Sequence, residues 1–192
     1  MNRLLELSRV LLGCGAIVAA VAISGCNNNP HAQRIETCDS LLTVMEELNV
    51  LFANIDYDKH FENRADMMKD IERVERYFKT ANDTMPRDIA FKVSDYRLIW
   101  KGYKRMEGEY GQVEKELEYT TNQLEHLRKD LEHKTLTEPM AERFLKEEKT
   151  AVAMLDVSTR SIKTKLENTE KKYQDQKPVI IQLADSLENS EN

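Results

Sequence analysis

The sequence predicts an all-α fold: an antiparallel helical bundle at one end, the base, with a long coiled-coil-like helical hairpin projecting from it. Three observations lead there. Only 6 Gly and 4 Pro occur in 192 residues, while charged residues make up 32%, a composition that suits long helices better than a sheet with many turns. From Pro86 to about Lys134, residues Ile89, Val93, Tyr96, Trp100, Tyr103, Tyr110, Val113, Leu117, Thr120, Leu124, Leu127 and Leu131 recur mostly at alternating spacings of four and three, the heptad signature. The alternation returns in Phe144, Glu148, Ala151, Leu155, Ser158, Ile162, Leu166, Thr169 and Tyr173, so the second run can fold back on the first.

The chain begins with an address. Arg3 and Arg9 precede an almost wholly apolar run from Val10 to Ile23, the build of a secretory signal peptide over residues 1–25. Fourteen helical residues would reach roughly 21 Å, short of the ~30 Å hydrocarbon core, so a permanent span is not expected. The run ends in Ile23-Ser24-Gly25-Cys26. These four residues resemble the lipobox of bacterial lipoprotein precursors. The resemblance implies cleavage before Cys26, a diacylglyceryl group on its thiol, and a fatty acyl chain such as palmitate on the new amino terminus. Several acyl chains, at about 0.8 kcal/mol per buried CH2, make a firm anchor. A second lipobox-like stretch, Leu11-Leu12-Gly13-Cys14, follows an apolar segment too short and interrupted by Glu6 and Arg9, so Cys26 is the expected lipid attachment site. Asn27 stands where an Asp would favour inner-membrane retention in the family. The expected location is therefore the bacterial cell envelope, with the outer membrane favoured over the inner. The resemblance covers about the first 27 residues and implies nothing about the rest.

Charge and cysteines bound the remainder. A net charge of −6 disfavours nucleic acid, whose binding needs a concentrated basic surface. With Cys14 in the signal segment and Cys26 lipidated, Cys38 is the one thiol left. No intramolecular disulfide is expected. Cys38 is read as a buried, inert thiol, with a bridge to a second chain as the alternative.

Residues 26–33 read as a lipidated tether, because Asn27-Asn28-Asn29-Pro30 is polar and turn-prone. A helical body is expected over 34–187 and a polar tail over 188–192. The first helix carries Ile35, Cys38, Leu41, Leu42, Met45, Leu48 and Phe52 on one stripe. Asp56 to His60 interrupts it and can cap a second helix, with apolar positions Phe61, Ala65, Met68, Ile71, Val74 or Glu75, and Phe78. So short a turn predicts that these two helices are antiparallel neighbours. Next, Thr84 or Met85 is the expected N-cap of a helix with Pro86 in its first turn. Gly102, Gly108 and Gly111 each cost about 1 kcal/mol in a helix interior and predict a bend. Thr135 or Thr137 should cap the returning helix after a tip at Leu136, and Pro178 should kink it. That register sets Leu127 near Phe144, Thr120 near Ala151 and Trp100 near Tyr173. An acidic first helix and a basic segment from Arg87 to Arg105 suggest contact between them. The first two helices would then pack on the base, leaving a bare two-helix arm with little core per residue.

No residue set carries chemistry. His126 and His133 share a helix face but lack a third ligand; the glycines follow no strand and form no phosphate loop; and no nucleophile with base stands at a telling spacing. No catalytic residue, cofactor or metal is expected, and no enzyme. The expected function is a membrane-anchored, non-enzymatic helical scaffold, adaptor or protein-interaction module with a protein partner in the envelope, and a homo-oligomer is allowed. The alternative is a glycan- or lipid-binding lipoprotein that uses the aromatic stripe Tyr96, Trp100, Tyr103 and Tyr110. Core packing is the simpler use of that stripe.

Overall fold

The structure, a computed structural model, describes residues 29–190. Four helices account for nearly all of them: α1 Ala32–Ala53, α2 Tyr57–Thr80, α3 Arg87–Glu132 and α4 Glu138–Asn189. Among the described residues there is no strand, and the all-α helical bundle is as expected. At about 1.5 Å per residue, α3 and α4 are roughly 69 and 78 Å long.

The hairpin of α3 and α4 is the frame. Val93, Tyr96, Ile99, Tyr103, Met106, Val113, Leu117, Thr120, Leu124, Leu127 and Leu131 are buried along α3, and Tyr110, half-buried, fills the remaining heptad position. On α4 the buried set is Ala141, Leu145, Val152, Leu155, Thr159, Ile162, Leu166, Tyr173, Ile180 and Ala184. Several α4 positions differ by one residue from the sequence expectation, Leu145, Val152 and Thr159 replacing Phe144, Ala151 and Ser158. The cause is a third layer, which turns the buried face of α4 toward a second neighbour. The register about Leu136 agrees: a Cβ at Gly102 would meet Thr169 at 3.7 Å, and Lys165 bonds Glu109 at 2.7 Å.

That third layer corrects the expected arrangement. α1 and α2 are not antiparallel neighbours and do not pack on each other; each packs on both α3 and α4. They run end to end in the same direction, α1 along the tip half and α2 along the base half. Cys38 joins Leu127, Leu131, Ala141 and Leu145 in a cluster at the tip, while Phe78 sits with Val93 and Ala184 in the main core. There is no bare arm. The acidic first helix does not meet the basic segment either: Asp39 pairs with Arg128 near the tip, and Arg97 of the basic segment pairs with Glu75 on α2. A break of three residues can continue a chain as readily as reverse it. Here continuation buries both apolar stripes along the full frame, which reversal would leave half uncovered.

Local chemistry places the breaks. Asp56 caps α2, its Oδ1 accepting from the Lys59 amide at 3.1 Å. α2 and α3 each end with a residue in the left-handed region, Asn82 at φ 50° and Lys134 at φ 57°. The Asp83 and Thr135 amides then bond back to the carbonyls of Phe78 and Asp130 at 3.0 Å, the Schellman arrangement that satisfies terminal carbonyls. Pro86 itself is the N-cap of α3, one or two residues later than the sequence suggested, and Thr137 is that of α4. α3 stays one helix through its three glycines, and α4 stays one through Pro178. What breaks at the glycine level is the layer opposite. Asn54 to Asp56 line an open cleft of ≈ 770 Å³ together with Tyr110 and Gly111, and the Tyr110 ring is stacked between Phe52 and Tyr57, 4.2 Å from each.

The N-terminal end is folded onto the tip. Asn29 Nδ2 donates to the Leu131 carbonyl at 3.1 Å. His31, only 2% exposed, donates from Nε2 to the Leu136 carbonyl at 3.2 Å. Its Nδ1 lies 3.4 Å from Arg34 and 3.5 Å from Glu138, and Arg34 pairs with Glu138 at 2.7 Å. The expected tether over 26–33 is thus fixed from Asn29 onward, and the helical body reaches from Ala32 to Asn189.

Candidate functional site

The densest polar constellation lies where α2 crosses the frame, and the sequence reading missed it. In the first half of α2 the inward positions are His60, Asn63, Met67 and Asp70 rather than Phe61, Ala65 and Met68, while Ile71, Val74 and Phe78 are buried as expected. Phe61 is 50% exposed, with the Arg64 guanidinium 5.2 Å above its ring. The polar residues turn inward because α3 and α4 offer them partners.

Glu170 of α4 is the hub. Its Oε1 accepts from Lys59 at 3.1 Å and Gln174 at 2.7 Å, and its Oε2 accepts from Tyr103 at 3.0 Å and from Asn63. Burial alone would raise this carboxyl, but the bonds from Gln174, Lys59 and Tyr103 and the Lys59 charge outweigh it and hold it below the usual range. His60 stands beside it, Nδ1 3.6 Å from Oε2, too long for a hydrogen bond. Burial lowers the His60 pKa from 6.5, opposed by Glu170 and aided by Lys59, so the ring is neutral at pH 7.

A second polar layer follows one turn on. The Tyr96 hydroxyl donates to the buried Asp70 at 3.1 Å, and Lys177 donates to the Tyr173 hydroxyl at 2.6 Å. Burial first, then the Asp70 charge, pushes the Tyr96 hydroxyl far above its ordinary value. Burial raises all three tyrosines, so they stay protonated, Tyr96 and Tyr103 as donors and Tyr173 as the acceptor from Lys177. Every lone-pair direction of Glu170 is already taken, so the chemistry of this cluster is to clamp three helices rather than to receive a substrate.

The clamp predicts acid sensitivity in two steps. His60 binds a proton more readily in the unfolded chain, so its share of stability is present above pH 6.5 and falls as the pH drops from there. Glu170 has a folded value below 4.5, so its share persists above 4.5 and is lost as pH falls through that folded value. Urea midpoints measured from pH 7.5 to 4 should decline from about 6.5 downward. His60→Gln should flatten the upper part of the curve, and an unchanged slope there would remove His60 from the account.

The residues singled out from sequence are dispersed. Cys26 lies outside the described residues. Tyr96 and Tyr103 are core, Tyr110 is the stacked ring at the break, and Trp100 is half-buried under Lys104, 5.5 Å above its ring. Cys38 is fully buried, its thiol pushed up to about 11 by burial and then by Asp39 and Glu148, which suits an inert thiol. His126 and His133 are exposed on α3 and just past its end. Among the described residues no group of three His, Cys, Asp or Glu could hold a metal, and no helix is long and apolar enough to cross a membrane. No protein-family model, curated protein or solved structure matches the chain.

Proposed function

We propose that this chain is a lipid-anchored lipoprotein of the bacterial cell envelope, outer membrane favoured, that acts as a non-enzymatic scaffold holding a protein partner away from the bilayer. The observation that supports it is the latch of Asn29 and His31 on the α3–α4 tip. Asn29 lies three residues after Cys26, a reach of at most about 11 Å. A lipid on Cys26 therefore keeps the hairpin tip at the membrane and sets the base, with residues 81–86, about 70 Å away along α3. A rigid three-layered rod with its polar clusters occupied internally is suited to spacing and presentation.

Cys26→Ala is the test. Acyl labelling with palmitate should be lost, the protein should accumulate as precursor or leave the membrane fraction, and far-UV helicity should be unchanged because the fold begins after the anchor. A variant that still takes label and partitions with detergent at its mature mass would overturn the anchor. In reconstituted vesicles, headgroup quenchers should dim a fluorophore at Thr137 and spare one at Asp83; the opposite pattern would refute the orientation.

A further inference from the structure

The outer face of α3 has a second seam. Positions 87, 91, 94, 98, 101, 105, 108, 112, 115, 119, 122 and 126 alternate by four and three, and every one is exposed. α3 carries ten acidic side chains, and none falls on these positions. Instead the seam holds Phe91, Leu98 and Tyr119, exposed by 55%, 62% and 60%, interleaved with the cations of Arg87, Lys101, Arg105 and Lys115. Neither Lys101 nor Lys115 makes an ion pair among the described residues, Arg87 lies over Phe91 at 5.2 Å, and Arg105 reaches only Glu109 at 3.8 Å. The cations lie along this line while Asp88, Asp95, Glu109 and Glu116 flank it one residue on, so the charges of the outer face are sorted into adjacent rows.

Gly108 is compatible with a close approach from outside, as is Gly111 beside the seam, which is equally open. Gly108 lies on this seam, a Cβ there would meet nothing within 4 Å, and a helix-interior glycine costs about 1 kcal/mol relative to alanine. Nothing inside the chain uses the missing side chain. On an outward seam, a glycine admits the backbone of another helix.

We infer that the outer seam of α3, from Arg87 to His126, is a docking surface for an acidic amphipathic helix of a partner protein. This deepens the scaffold reading and rests on it. Phe91 and Leu98, seven residues apart with Lys101 and Arg105 following on the same line, present a repeat that a docked helix can meet in register, whereas a lipid surface demands no register. The four cations fix the sign of the partner, and they disfavour the same seam of a second copy. The seam runs about 58 Å along α3, and Phe91 and Leu98 lie in the half distant from the latched tip.

The test places a photocrosslinking benzoylphenylalanine at Phe91, Leu98 or Tyr119 of the full chain in its native envelope, with Met154 of α4, 67% exposed, as the control site. The expected result is a protein adduct at the seam sites and not at Met154, mapped by mass spectrometry to a helical, net-acidic peptide. Lys101→Glu combined with Arg105→Glu should cut that adduct by about tenfold or more. Gly108→Leu should cut it too while leaving thermal stability equal or higher, a result that damage to the fold could not give. Adducts at Met154 alone would overturn the seam and leave the scaffold standing. Absence of protein adducts at all four sites would sink both readings. Adducts to lipid, to a second copy, or to a peptide that is not acidic, and adducts indifferent to charge reversal, would each overturn the seam.

Discussion

Tyr173→Ala is expected to cost about 3 to 5 kcal/mol, the range for truncating a large buried aromatic. Tyr173 is 1% exposed, its ring lies 6.3 Å from that of Tyr96 and 6.4 Å from that of Tyr103, and its hydroxyl accepts from Lys177. Truncation opens a cavity where α2, α3 and α4 meet and leaves Lys177 without that acceptor, and the neighbouring rings belong to the Glu170 and Asp70 clamps, so they cannot easily move in. Trp100→Ala should cost distinctly less. Trp100 is only partly buried, one face is already covered by Lys104, and water can fill the space. Urea unfolding of both variants decides the order. A Trp100 variant as damaged as the Tyr173 variant would mean that the base is organised around the wrong aromatic.

Leu131→Ala should cost about 2 to 5 kcal/mol, toward the upper part of that range, although it lies at the end of a long hairpin where fraying would ordinarily soften the loss. Leu131 is fully buried among Leu127, Ala141, Leu145 and Cys38. Its own carbonyl is held by Asn29, which pins the turn above the cavity and limits collapse. Hydrogen exchange should accordingly find residues 124–131 protected to a degree comparable with 96–106. A mild Leu131→Ala with fast exchange at the tip would show that α1 docks only transiently.

What the sequence made legible depended on whether position and polarity agreed. Along α3, apolar side chains sit at nearly every core position, and the expected run from Val93 to Leu131 gains Ile99 and Met106 while Trp100 moves to the edge of the core. Along the first half of α2 they disagree. Its inward positions carry His60, Asn63 and Asp70, which hydrophobic periodicity assigns to solvent, and only the opposing Glu170, Tyr103 and Tyr96 reveal why they are inside. The candidate clamp was invisible for the same reason: its members are far apart in the chain and each alone resembles a surface residue. The direction of α2 relative to α1 was also undetermined, since a three-residue break with an Asp cap serves both a reversal and a continuation. Ion pairs could have decided it. Asp39 with Arg128, and Arg73 with Asp185 and Glu188, require the first two helices to lie at opposite ends of the frame.

The latch of Asn29 and His31 on the tip has a mechanical consequence. Under the proposed anchor at Cys26 and the proposed partner on the far half of α3, tension would pull α1 along its own axis, away from the base. The helix is then loaded in shear rather than peeled from one end, so contacts at Cys38, Met45, Leu48 and Phe52 carry the force together instead of failing one after another. Compression has a different weak point. Pushing the ends toward each other would concentrate strain at Asn54 to Asp56, where the third layer is interrupted and its two halves are spliced by Tyr110, stacked between Phe52 and Tyr57, and by the buried Ile55. A rod built this way resists stretching along its whole length and buckles at one place.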